Sequence, residues 1–158
     1  MSDYSYPPHK STFFKMDANI VAMVLYIIAI VFAWFSYIGL FAWLIPLIVL
    51  LFERSSSLVK YHAVQTLVCS VFISIVEVIR RILNFSLTSL FGDNSPLSWF
   101  GKISGNLLSF VFMIISSVVS FFILFQLIKG AFNAYKYREC RMPIISVISD
   151  KIRRVFKI

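Results

Sequence analysis

Lys60, Tyr61, His62 and Gln65 place a cation, a phenol, an imidazole and an amide at the head of an apolar stretch that runs from Ser57 to Glu77. At about 100° per residue, His62, Thr66, Ser70, Ser74, Glu77 and Arg81 fall within an arc of about 120°. Ionisable groups are costly in lipid and usually turn toward a bundle interior. Glu77 and Arg81 have the i,i+4 spacing of a helical ion pair. This stripe offers a polar path, a contact for a partner or headgroup, or a set of hydrogen bonds between helices. For His62, scaffolding by hydrogen bonds outweighs ligation, and Gln65 has the reach to cross-link neighbouring helices.

Nothing in the chain assembles into an obvious catalytic set. His9 and His62 are the only histidines, and no H-E-x-x-H is present. Asp3, Asp17, Asp93 and Asp150 fall in tails, caps or loops, so no pair of aspartates lies within the apolar segments. No Ser-His arrangement with an orienting acid stands out. Cys69 and Cys140 have neither metal-ligand spacing nor a framework that would pair them. The expectation is a chain that is not an enzyme and needs no metal or cofactor.

The elements that position the stripe are made of lipid-compatible sequence. The 158 residues are 59% hydrophobic, 17% aromatic and only 14% charged, with a mean hydropathy of +0.87. Soluble domains are about half apolar and a quarter charged. Residues 1–16 read as a polar tail ending in the interfacial residues Phe13, Phe14 and Lys15, with Asp17 as a candidate helix cap. The run from Asn19 to Phe52 has no charged side chain. As one helix it would reach about 50 Å, against a hydrocarbon core of about 30 Å. It has no small-x-small cleavage site, so it reads as retained membrane sequence. A break at Ser36-Tyr37-Ile38-Gly39 and a kink at Pro46 predict a hairpin of 18–35 and 39–53; a re-entrant hairpin and a single kinked helix are the alternatives.

The second half has the same character. The stripe-bearing helix is expected over 56–83. A turn at Gly92-Asp93-Asn94 and a short interfacial helix after Ser95-Pro96, carrying Leu97, Trp99 and Phe100, should follow. The last hydrophobic helix is expected from Gly105 to about Phe132, with Ser109, Ser116 and Ser120 on a packing face. From Lys129 onward eight basic side chains face two acidic ones, which accounts for six of the eight net positive charges. After Pro143 the apolar residues gather on one half of a helix and the basic ones on the other, the pattern of an interfacial amphipathic helix. Basic residues beside a membrane segment mark its cytoplasmic face and favour anionic lipid. The organisation expected is therefore a tail (1–17), a membrane bundle (18–132) and a basic amphipathic cytoplasmic tail (133–158). Nucleic acid is not an expected partner.

S-L-V-K-Y-H-A-V-Q-T-L at 57–67 resembles the signature of the Tic20-like membrane proteins, the twenty-kilodalton subunit family of a chloroplast protein translocon and its bacterial and archaeal relatives. Met142-Pro143-Ile144-Ile145-Ser146 is similar to a second segment of that family, placed after the last span. Lys60 and Thr66 stand where that family often has Arg and Ala. The resemblance implies a translocon or membrane-assembly component in a bacterial-type cell membrane. Lys60, Tyr61, His62 and Gln65 would then meet a protein partner, a headgroup or a second copy at the cytoplasmic mouth, with Pro143 and Ser146 as the tail motif. The combined expectation is an all-α polytopic bundle of about four hydrophobic helices, non-enzymatic, with a small transporter or channel as the alternative.

Overall fold

The structure is a computed structural model that describes residues 5–13, 15–35, 38–91, 98–140, 142 and 145–156, without the side chains of 38, 87–106 and 153–156. The described residues form α1 (Ala18–Ala33), a 3-10 turn (Ile38–Phe41), α2 (Leu44–Phe52), α3 (Ser57–Phe91), α4 (Ser98–Tyr135) and α5 (Ile145–Phe156). Asp17 occupies the N-cap position of α1, but its side chain makes no capping bond. Pro46 falls in the first turn of α2, where its missing N–H costs no intrahelical hydrogen bond, so it does not act as a kink.

The long apolar run breaks after Ala33, and the 3-10 turn takes in Ile38 and Gly39 of the expected break, Ser36 and Tyr37 lying outside the described residues. At one end of the molecule the Ala18 N–H donates to the His9 carbonyl. At the other end of the hairpin, Ser74 Oγ donates to the Gly39 and Leu40 carbonyls at 3.2 Å each. The chain then returns to Glu53, which meets Thr12 beside the start of α3. Residues 18 and 53 therefore lie at the same end, which excludes the single kinked helix. At 1.5 Å per residue α1 is about 24 Å long and α2 about 14 Å, both short of the roughly 20 residues that a span needs. Two helical segments, Ser57–Ser86 and Leu107–Tyr135, are long and apolar enough to cross a membrane, so the four spans expected are not established.

α3 is the central helix. It packs against α1, the 3-10 turn, α2, α4 and α5. Its first half is almost wholly buried, with Leu58, Val59, Ala63, Val64 and Cys69 in the core. Ser56 caps it, Oγ accepting from the Val59 N–H at 3.2 Å. α3 and α4 each exceed their expected bounds, running to Phe91 and starting at Ser98. Trp99 and Phe100 are thus the beginning of α4 rather than a separate surface helix. The turn at Gly92-Asp93-Asn94, Ser95-Pro96 and Leu97 lie outside the described residues. From Leu107 to Phe122, α4 is exposed except for half-buried Ser109, Phe112 and Ser116; Ser120, expected on the packing face, is exposed.

α5 turns part of its apolar face inward: Ile145 is buried, and Ile148 and Ile152 pack against the core, beside Leu67 and Val68 of α3, while Val147 stays exposed. α5 lies along α3, with Ile148 and Ile152 sharing a groove with Trp43 and Leu47. Residues 5–13, read from sequence as a tail, cross the same end of the bundle. Tyr6 N–H donates to the Tyr137 carbonyl, and Tyr6 Oη donates to Glu139 at 2.8 Å.

Candidate functional site

The stripe's lower end is a closed hydrogen-bond network. His62, Gln65 and Thr66 are fully buried and Tyr61 is nearly so. His62 Nε2 faces the Arg138 carbonyl at 3.1 Å. That oxygen can only accept, so the ring proton sits on Nε2 and Nδ1 accepts from Tyr26 Oη at 2.9 Å. The same phenol lies 3.1 Å from Gln65 Oε1. Gln65 Nε2 donates to Tyr61 Oη at 2.9 Å and to the Cys140 carbonyl at 2.6 Å. Tyr61 Oη donates to that carbonyl at 3.0 Å. Thr66 Oγ1 donates back to the His62 carbonyl.

The network has a clear local purpose. After α4 the chain reverses through Tyr137, which holds φ at 57°, and the carbonyls of Arg138 and Cys140 point inward with no helix to satisfy them. A buried carbonyl without a donor costs about 1–3 kcal/mol. Tyr61, His62 and Gln65 supply those donors from α3. Of the four residues expected at a partner-facing mouth, three are thus buried and bonded within the chain, and Lys60 alone is partly exposed.

The upper stripe is packed rather than open. Ser70 is buried, and Ser74 is spent on the 3-10 turn and on the Ser70 carbonyl. Glu77 pairs with Arg81 at 3.2 Å, as the spacing suggested. It pairs more closely with Arg80, at 2.7 Å and 2.9 Å to its two carboxylate oxygens. Arg80 was not foreseen as part of this cluster; its i,i+3 position was the available signal. Ser146 N–H donates to the Met142 carbonyl and opens α5. Pro143 lies outside the described residues.

A second polar centre lies at the basic end and was not anticipated. Glu53 is 2% exposed, between α2 and α3. Ser11 Oγ donates to its Oε2. Thr12 donates to it from N–H at 3.1 Å and from Oγ1 at 2.9 Å, and the Ser55 and Ser56 amides add 3.0 Å bonds. Burial alone would raise its pKa, but these donors favour the charged form and hold it at about 2. His9 joins the strap, Nε2 lying 2.7 Å from Ser56 Oγ. Among the described residues, no three His, Cys, Asp or Glu side chains gather to hold a metal, and both cysteines are free and buried.

These features define a helical bundle with two helices long and apolar enough to cross a membrane and an interior polar clamp. The chain belongs to the magnetosome magnetite crystal formation protein family, MamF/MmsF, whose family model matches residues 17–148. Neither the curated proteins nor the solved structures contain a match. Membership in that family overturns the Tic20-like resemblance. The two short segments that carried it contain Tyr61, His62, Gln65 and Met142, and these residues serve chain reversal and packing. Such a pattern reports how the bundle closes and carries no information about translocation.

Proposed function

We propose that this chain is a non-enzymatic component of the magnetosome membrane that acts in magnetite crystal formation. The observation that carries the reading is the family match over residues 17–148, which takes in α1 to α4 and the first turn of α5. Its physical support is the use of the polar side chains. His62, Gln65, Glu53 and Ser74 all hold the chain to itself, as in a scaffold rather than a reaction centre or an open conduit. The basic end, with Lys10, Arg54, Lys136 and Arg138 exposed, faces the cytoplasm and its anionic headgroups. The connection between α3 and α4 then faces the crystal. Removing the gene from a magnetosome-forming cell should change the size or shape of the crystals while membrane vesicles persist. Crystals indistinguishable from those of the parent would sink the reading.

A further inference from the structure

Two apolar grooves adjoin on the flank of α3. One, of about 650 Å³, lies between the 3-10 turn and α3, with Leu40 and Ile79 in its walls. The other, of about 380 Å³, lies between α2, α3 and α5, under Ile148 and Ile152. They share Trp43, Val71 and Ile75, so the two grooves meet along these side chains. Trp43 is held in place by its Nε1, which donates to the Leu40 carbonyl at 2.9 Å. Besides that indole N–H, the polar side chain among the described lining residues is Ser74, whose hydroxyl is committed to backbone carbonyls. On α5, Lys151 follows Ile148 by one turn and is exposed at the edge of the helix that roofs the smaller groove.

We propose that this flank is a binding site for one two-chain anionic phospholipid, an acyl chain in each groove and the phosphate met by Lys151. Three features select that occupant. Adjoining grooves with a fixed ring on their shared wall match two chains joined at one headgroup. Walls with no free hydrogen-bonding group offer nothing to a peptide backbone, whose buried N–H and C=O groups need partners. The cation at the α5 edge complements a phosphate, and a basic amphipathic helix at an interface is drawn to anionic lipid. The site differs from an annular contact because α2, the 3-10 turn, α3 and α5 build it together.

The test uses the full chain purified in mild detergent, stripped of loose lipid, then exposed to phosphatidylglycerol or phosphatidylcholine and weighed by native mass spectrometry. One phosphatidylglycerol per chain should persist, retained at least fivefold better than phosphatidylcholine. Val71→Trp, which fills both grooves, should abolish retention. Lys151→Glu, on an exposed position that leaves packing intact, should erase the preference for phosphatidylglycerol while keeping some lipid bound. Far-UV circular dichroism confirms that each variant is folded. No retained lipid, equal retention of the two lipids by the unaltered chain, undiminished binding in folded Val71→Trp, or a lipid-independent dimer that loses its second copy in Val71→Trp would each overturn the proposal.

Discussion

At the scale of single residues the molecule invests its polar groups in closing loops. Glu53 makes this measurable. Its carboxyl is held at about 2 instead of the ordinary 4.5, so the folded state binds fewer protons than the unfolded chain between those values. The stabilisation is complete above about pH 4.5 and drains away as pH falls toward 2. From the size of the shift it is worth about 3 kcal/mol. Unfolding in detergent, followed by circular dichroism across that range, should show a loss of stability that Glu53→Gln removes; identical pH slopes in the two proteins would refute it. Little of this centre was legible in the sequence. Glu53 reads as the last residue of the expected second arm, 39–53, and its donors Ser11 and Thr12 lie about forty positions earlier in a segment that looks like tail. By contrast, the inward turn of His62 and the cross-linking reach of Gln65 followed from helical spacing. Their partners did not, because the Arg138 and Cys140 carbonyls belong to backbone, which leaves no trace in residue identity.

Between elements, the contact of α1 with α4 is set by Gly130. A Cβ there would come within 2.5 Å of Tyr26 Cε1 and 2.6 Å of Met142 Cε. The methionine end can move, but the Tyr26 ring is pinned by its hydroxyl to His62 and Gln65. Gly130→Ala should therefore destabilise the bundle by about 1–3 kcal/mol, the usual cost of overpacking a filled core. Measured in a Tyr26→Leu background, where the pinned ring is gone, the same change should cost clearly less, since contacting sites are not additive. Equal costs in both backgrounds would show that the Tyr26 ring is not what the added methyl meets, since helix propensity alone would favour alanine. The helices themselves were readable from hydropathy, and the break near Gly39 and the amphipathic pattern after Pro143 were located correctly. The direction in which α5 spends its apolar face was not, because periodicity says that a face is apolar and leaves open what covers it.

For the whole molecule, the decisive geometry is that every irregular connection in the lower half meets at one end. The strap at 5–13, the start of α1, the Glu53 loop and the reversal after α4 are tied together by Tyr6–Tyr137, Ala18–His9 and Thr12–Glu53 bonds. α1 and α2 therefore leave from and return to a single face, whatever depth their hairpin reaches. α3 and α4 run antiparallel from that face, because His62 near the start of α3 meets the chain just beyond the end of α4. If both cross the membrane, the connection between them is on the other side. In a background with Cys69 and Cys140 replaced, Lys10→Cys and Lys136→Cys should react with an impermeant maleimide from the same side of sealed vesicles. Asp93→Cys should react only from the opposite side. Lys10 and Lys136 labelling from opposite sides would break the hairpin, and Asp93 labelling together with them would remove both spans.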